Sequence, residues 1–152
     1  MNKIFITGVA GFIGSHLQKE LQSYVEVSGM DNLQAAASRQ RSVHFGASDE
    51  HSIHSGFIDQ MHTKPDVLIH LAAETGISGS LNNPARYFHQ NEEGTFNVLE
   101  QCRKNGVNYL IYASSSSVYE PIQSIMHEDS PHDKQLSFYG TSKRMTELMI
   151  DN

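Results

Sequence analysis

The sequence has one cysteine, no long apolar run and no excess of positive charge, and each shortage excludes a class of protein. A lone Cys102 excludes an intrachain disulfide framework and a cysteine-based zinc site. It falls in a predicted helix, where we expect a partly buried structural thiol. No apolar stretch approaches the ~20 residues of a membrane-spanning helix. Because Lys3 begins an apolar strand at once, we expect no signal peptide and a cytoplasmic protein.

The charge balance is acidic, with a net charge of −6 and a pI near 5.8. This balance does not favour nucleic acid or an anionic membrane as a partner. The length predicts a single domain over residues 1–152. His51 and His54 have the spacing of two metal ligands on a helix, but no third ligand is evident. We therefore expect solvated histidines and no metal.

Strand and helix patterns alternate along the chain. This order predicts an α/β protein of Rossmann type, with a doubly wound parallel sheet and helices on both faces. The predicted strands are Lys3–Thr7, Val25–Met30, Val43–Phe45, Val67–Leu71 and Tyr109–Ala113, and the predicted helices cover Gly14–Gln22, Ile53–Met61, Pro84–Lys104 and Ser137–Ile150. Asn83 before Pro84 has the pattern of a helix cap followed by proline at the first helical position.

Three glycines lie between the first strand and the first helix in the spacing Gly-x-x-Gly-x-x-Gly. Gly8 permits a tight turn, Gly11 lets the backbone approach a pyrophosphate, and Gly14 allows close packing of helix on strand. The start of the helix presents N–H groups and a positive dipole end to phosphates. The pattern predicts a dinucleotide-binding turn.

Asp31 follows the second strand at about the ~20-residue spacing expected for a carboxylate that accepts a hydrogen bond from the ribose 2′-OH. A carboxylate there would repel a 2′-phosphate, which favours NAD over NADP. Arg39 and Arg41 lie downstream and keep NADP open as an alternative.

Tyr139 and Lys143 lie four residues apart and so share one face of the last predicted helix. A tyrosine hydroxyl is a poor base at neutral pH, but a nearby ammonium group stabilises the phenolate form. A serine run, Ser114–Ser117, stands at the carboxyl end of the last strand, where ligands bind in open α/β sheets. A serine there could hydrogen-bond a substrate hydroxyl together with the tyrosine oxygen.

The joint pattern resembles the extended short-chain dehydrogenase/reductase family and, within it, the NAD-dependent UDP-glucose and UDP-glucuronate 4-epimerases. The motifs that carry the resemblance occur in the family's order: Thr7–Leu17, Asp31–Leu33, His70–Ala73, Asn91–Glu100, Ser115–Tyr119 and Tyr139–Lys143. The resemblance covers nearly all of the 152 residues.

The resemblance implies a role for each matched residue. Tyr139 would be the general base, Lys143 would stabilise the phenolate and hold the nicotinamide ribose, and Ser115 would be the hydroxyl partner. Asn91 would brace the site from its helix. The NAD-binding set would be Gly8, Gly11, Phe12, Ile13, Gly14, Asp31, Asn32, Asp49, Leu71, Ala72, Ala73, Asn91, Tyr139 and Lys143, with Asp49 meeting the adenine.

The chain departs from the family pattern at several points. The segment from Phe45 to Asp49 does not align cleanly, and Glu120 stands where a glycine is usual. No arginine follows the alanine pair, which disfavours an acidic sugar. Family members are about twice as long, and the remaining part supplies further strands and the nucleotide-sugar pocket. We therefore expect an open edge at Tyr109–Ala113, where a homodimer could form.

Three hypotheses follow. The first is an epimerase acting on a nucleotide sugar, most simply a UDP-sugar, by transient oxidation. The second is a 4,6-dehydratase of the same family. Dehydratases usually carry an Asp-Glu pair where Ser116 and Ser117 stand, which favours the epimerase. The third is a module that binds NAD without turning over a sugar.

Overall fold

A computed structural model describes residues 3–32, 64–121 and 125–152. The chain divides into two compact units. Unit 1 comprises Met1–Ala72 and Asn97–Ala113, and unit 2 comprises Ala73–Phe96 and Ser114–Asn152. Several sequence predictions fall outside the described residues, namely the strand at 43–45, the helix at 53–61, the histidines His51 and His54, the arginines Arg39 and Arg41, and Asp49.

The core of unit 1 is a four-stranded parallel sheet. Its strands are β1 (Lys3–Thr7), β2 (Glu26–Met30), β3 (Val67–His70) and β4 (Tyr109–Tyr112), in the spatial order β2-β1-β3-β4. All four residues of β3 are buried, as a central parallel strand requires. The predicted parallel α/β sheet is thus confirmed, although β3 ends at His70, one residue earlier than expected.

Five α-helices accompany the sheet in the part of the chain that the structure describes. They are α1 (Phe12–Leu21), α2 (Ile77–Asn82), α3 (Pro84–Tyr87), α4 (Gly94–Asn105) and α5 (Phe138–Asp151). None of them is long and apolar enough to cross a membrane.

The side chains of the strands alternate between two apolar clusters, one on each face of the sheet. On one face, Phe5 and Leu68 pack with Val98 and Cys102 of α4. On the other face, a second set of strand side chains packs with Leu17 and Leu21 of α1. The helices thus cover both faces, as predicted. Cys102 is buried, and burial raises the pKa of its thiol to about 11, which suits an inert structural thiol.

The predicted helix from Pro84 to Lys104 is interrupted. A six-residue π-helical segment, Phe88–Glu93, separates α3 from α4. Such wider turns are rare and recur at functional sites. The predicted cap is confirmed, because the Asn83 side chain accepts a hydrogen bond from the Arg86 N–H at 3.2 Å and Pro84 follows it. The short helix α2 was not predicted.

Strand β4 is the last strand of the sheet among the described residues. Its side chains alternate: Leu110 packs on the core, whereas Tyr109 and Ile111 are 60% and 56% exposed. This agrees with the expected open edge. Self-association at that edge stays a prediction.

Candidate functional site

In unit 1 the glycine turn closes tightly against the end of β3. Gly8 has a φ of +73°, a left-handed conformation that favours glycine, and a Cβ there would lie 2.8 Å from the Ala72 nitrogen. The Gly8 N–H donates to the Met30 carbonyl at 2.9 Å. The turn therefore requires glycine at this position for both its backbone conformation and its close approach to Ala72.

The two later glycines of the turn bring α1 against it. A Cβ on Gly14 would collide with the Gly8 carbonyl oxygen, and one on Gly11 would lie 3.1 Å from that oxygen. Gly11 is the N-cap of α1 and offers no side-chain cap. Phe12 and Ile13 are 59% and 60% exposed beside it. A helix start without a side-chain cap, a turn that begins and ends with glycine and exposed apolar neighbours fit a dinucleotide.

Asp31 lies beside this turn. Its Oδ2 accepts a hydrogen bond from the Ala10 N–H at 3.0 Å, so the carboxylate at the end of β2 is tied to the glycine turn 21 residues earlier. Asp31 and Asn32 are both half-buried. The carboxylate is thus held near the start of α1, which suits the ribose contact expected of it.

Thr7 supports the same region, and the sequence reasoning did not assign it a role. Its hydroxyl lies 2.6 Å from His70 Nδ1, and it accepts hydrogen bonds from the N–H groups of Leu71 and Ala72, each at 3.2 Å. Thr7 and His70 are both fully buried. Together they fix the end of β3, where the predicted contacts Leu71 and Ala72 lie. The available signal was a polar residue at or near the end of each of two predicted apolar strands.

In unit 2 the residues expected to carry the chemistry are Tyr139 and Lys143 of α5. Ser137 caps the helix, its hydroxyl accepting from the Gly140 N–H at 3.1 Å. Tyr139 is half-buried, whereas Lys143 is only 4% exposed. Burial lowers the Lys143 pKa to about 8, because a desolvated ammonium is costly, while Glu147 acts in the opposite direction. Lys143 still carries its charge at pH 7.

Ser115 lies in the same unit, at the start of a single 3₁₀ turn, Ser116–Val118. Its hydroxyl accepts from the Ser117 N–H at 3.1 Å, which fixes the side chain at the head of the turn. The turn packs against α5. A Cβ on Gly140 would collide with the Ser117 carbonyl oxygen, so glycine at position 140 permits this close contact.

Asn91, in the π-helical segment, connects two parts of unit 2. Its Oδ1 accepts from the Glu74 N–H at 2.8 Å, and its amide donates to the Glu74 carbonyl at 3.2 Å and to Ser142 Oγ at 2.9 Å. It is 2% exposed. Asn91 therefore connects the segment after Ala73 with the helix of Tyr139 and Lys143.

Tyr87 was missed by the sequence reasoning. Its ring meets that of Tyr139 edge-on, with centroids 6.2 Å apart and an interplanar angle of 76°. Its hydroxyl donates to the Thr75 carbonyl at 2.8 Å, and Arg86 beside it pairs with Glu74 at 2.6 Å. The one available signal was its position four residues before Asn91.

Unit 2 also contains an apolar cavity of about 290 Å³ beside the serine turn. Its size is at the lower end of that of small-molecule sites. The residues that line it are Ile77, Ser116, Ser117, Tyr119, Pro121, Met126, Leu136 and Ser137.

The structure thus places the predicted residues in two groups. Unit 1 holds Gly8, Gly11, Phe12, Ile13, Gly14, Asp31, Asn32, Leu71 and Ala72, and unit 2 holds Ala73, Asn91, Ser115, Tyr139 and Lys143. Among the described residues, no group of three potential ligands could hold a metal ion.

Comparison with known proteins identifies relatives over nearly the whole chain. The NAD dependent epimerase/dehydratase family matches residues 4–152. The chain is 33% identical to the UDP-glucuronate 4-epimerase of Thermodesulfobacterium geofontis, over 98% of this chain and 50% of that protein. It is 31% identical to the UDP-glucose 4-epimerase of Bacillus subtilis, over 97% of this chain and 46% of that protein.

Solved structures similar to this chain are of the same kind as its sequence relatives. The UDP-glucose 4-epimerase of Brucella ovis in complex with NAD is similar at a TM-score of 0.84 and 29% identity, over 99% of this chain and 47% of that one. The UDP-Glc/GlcNAc 4-epimerase of Campylobacter jejuni is similar at a TM-score of 0.83 and 32% identity, over 99% and 48%. The chain therefore spans about half the length of the relatives it matches.

Proposed function

The chain belongs to the NAD-dependent epimerase/dehydratase family, and from this premise we propose that it is the cofactor-binding and proton-transferring part of a nucleotide-sugar 4-epimerase. The proposed substrate is a UDP-sugar, the class named for several similar proteins. The observation that carries the proposal is the pair Tyr139 and Lys143 on one face of α5, with Lys143 buried.

Unit 1 supplies the proposed NAD site. The glycine turn and the start of α1 would hold the pyrophosphate, and Asp31 would accept from the adenosine ribose. When bound, the nicotinamide would supply the redox chemistry by accepting hydride from the sugar carbon and returning it. The remaining tasks of binding, orientation and proton transfer fall to this chain's own side chains.

Unit 2 supplies the proton transfer. Tyr139 Oη would take the proton of the sugar hydroxyl as the carbon is oxidised, with the buried Lys143 ammonium stabilising the phenolate. Ser115 would hydrogen-bond the same hydroxyl and keep it in line with Tyr139. In the return half, Tyr139 gives the proton back to the oxygen after the keto-sugar has presented its other face. The net change is inversion at one carbon, with no proton lost or gained.

Two other functions remain candidates, and incubation of the protein with NAD and a UDP-sugar, followed by analysis of the sugar, separates them from the epimerase. A 4,6-dehydratase would release water and leave a keto-sugar, whereas an epimerase returns a sugar of unchanged mass. A binding module would bind NAD in isothermal titration and leave every UDP-sugar unchanged. Positions 116 and 117 are serines, not the Asp-Glu pair usual in dehydratases. This favours the epimerase over the dehydratase, because elimination of water needs an acid and a base at the sugar.

A further inference from the structure

Glu147 continues the spacing of the two residues expected to carry the chemistry. Tyr139, Lys143 and Glu147 recur every four residues along α5, so they form one stripe on a single face of the helix. Both carboxylate oxygens of Glu147 are engaged: Oε1 accepts from the Ser114 hydroxyl, and Oε2 accepts from Arg144 Nη1 at 3.1 Å. Its side chain is 24% exposed. Glu147 therefore connects the stripe to the residue that precedes Ser115.

The contacts of the serine segment, Ser114–Ser117, place it alongside this stripe. Ser117 meets α5 at Gly140, and Ser114 meets it at Glu147. Gly140 and Glu147 are about 10.5 Å apart along the helix axis, and the later serine, Ser117, meets the earlier of these two helix positions. The segment therefore runs antiparallel to the helix between two fixed ends, and Ser115 lies between those ends.

Glu147 also acts on the charge of Lys143. Burial lowers the Lys143 pKa, and the Glu147 carboxylate one turn away raises it. The Arg144 guanidinium is the other charged group that contacts Glu147 in α5. Without the Glu147 carboxylate, Lys143 and Arg144 would be two adjacent cations, and the Lys143 pKa would fall further.

We propose that Glu147 is a positioning residue for the reaction: it holds the serine segment along α5, which keeps Ser115 beside the Tyr139–Lys143 face, and its carboxylate, one helical turn from Lys143, favours the charged form of that side chain. The proposal rests on the function proposed above for Tyr139, Lys143 and Ser115. Glu147 itself is not a catalytic residue, because its oxygens are occupied by Ser114 and Arg144.

The test compares three variants. Glu147→Gln removes the charge and keeps the side-chain shape. Ser114→Ala removes the hydrogen bond to Glu147 and keeps the charge. Glu93→Gln is the matched control, because Glu93 is an exposed carboxylate of the same unit that also has a partner, His89 at 2.6 Å.

We expect Glu147→Gln and Ser114→Ala to lower kcat about 10- to 100-fold with KM within about 2-fold, since misplacement affects the transition state more than binding. Glu93→Gln should leave both constants unchanged. An NMR titration follows the Lys143 Cε resonance, which is assigned by its loss in Lys143→Arg. This resonance should titrate at a lower pH in Glu147→Gln than in the wild type, and at the wild-type pH in Ser114→Ala. Unchanged kcat and unchanged Lys143 titration in Glu147→Gln would overturn the proposal.

A wild-type protein without turnover would reject the proposed function but still test Glu147. In that case, amide hydrogen exchange reports the serine segment, because the Ser117 and Val118 N–H groups are bonded to Ser115 Oγ and to the Ser115 carbonyl oxygen. We expect faster exchange at both amides in Glu147→Gln and in Ser114→Ala than in Glu93→Gln, together with the shifted Lys143 titration. Equal exchange and equal titration in all variants would reject the positioning role.

Discussion

The Asn91 side-chain amide donates a hydrogen bond to Ser142 Oγ at 2.9 Å, joining residues 51 positions apart in the chain. Ser142 Oγ in turn donates to the Tyr139 carbonyl at 2.8 Å. The π-helical segment is thereby bonded to the turn of α5 between Tyr139 and Lys143. The hydrogen bonds of one buried amide therefore link a helix irregularity to the candidate catalytic helix.

Replacing Asn91 should damage both folding and turnover. Asn91→Ala leaves the Glu74 backbone groups and Ser142 without their partner, and we expect a loss of about 1–3 kcal/mol in the free energy of unfolding. Urea denaturation measures it. Asn108→Ala, at an exposed asparagine, is the control and should change stability by less than about 0.5 kcal/mol. Equal stability of the two variants would contradict the bracing role.

The glycine turn gives a prediction with a matched control. Gly8 and Gly106 both have positive φ, but a Cβ on Gly8 meets backbone at 2.8 Å, whereas one on Gly106 meets the flexible end of Lys64 at 3.4 Å. Gly106→Ala should therefore cost only about 1 kcal/mol, the conformational penalty. Gly8→Ala should cost about 2 kcal/mol or more and abolish NAD binding in isothermal titration. Normal NAD binding by Gly8→Ala would place the cofactor elsewhere.

Asp31 should set the preference between NAD and NADP. Asp31→Asn keeps an acceptor for the Ala10 N–H but removes the charge that favours the ribose hydroxyl and repels a 2′-phosphate. We expect NAD affinity to fall about 10-fold or more, and the preference for NAD over NADP to become smaller. Asp66→Asn is the control, because Asp66 likewise accepts from a backbone N–H, that of Lys3 at 3.1 Å. An unchanged NAD to NADP ratio would speak against the ribose contact.

Glu92 should make stability depend on pH. It is 4% exposed, its carboxylate oxygens have no hydrogen-bond partner among the described residues, and burial raises its pKa to about 7. Because the folded state holds this proton up to about pH 7 and the unfolded chain releases it near pH 4.5, the cost of ionisation grows as the pH rises through that window.

Glu92→Gln should therefore be more stable than the wild type at pH 8, by about 1–3 kcal/mol. The difference should shrink as the pH falls from 7 and vanish below the unfolded pKa. Urea denaturation across this range measures it, with Glu20→Gln, at an exposed glutamate of α1, as the control that should show no such trend. A difference between wild type and Glu92→Gln that does not vary with pH would reject the account of Glu92.

Apolar periodicity and residue spacing predicted the strands, the shared helix face and the helix cap described below. The apolar runs at β1 and β3 predicted strands of a parallel sheet, and the four-residue spacing predicted one helix face for Tyr139 and Lys143. The cap at Asn83 followed from the residue pair alone. These features depend on local conformational preference and on which side chains must be buried, and both are readable from the chain.

Other features depend on packing between distant residues. The π-helical segment at Phe88–Glu93 was predicted as ordinary helix, because π turns are rare and the prediction followed the helix pattern from Asn83 and Pro84 onward. The Thr7–His70 contact and the edge-on rings of Tyr87 and Tyr139 join side chains whose partners no local pattern specifies. The division into two units was likewise absent from the composition and spacing.

The most direct measurement follows UDP-glucose and its C4 epimer with NAD present, for the wild-type protein and for Tyr139→Phe. We predict interconversion by the wild type, and a loss of about 100-fold or more in kcat for Tyr139→Phe with NAD affinity unchanged. NAD binding without interconversion would contradict epimerase activity of this chain and leave a binding module. No NAD binding at about 1 mM would contradict both the epimerase and the binding module, because a functional NAD site has a dissociation constant below that concentration.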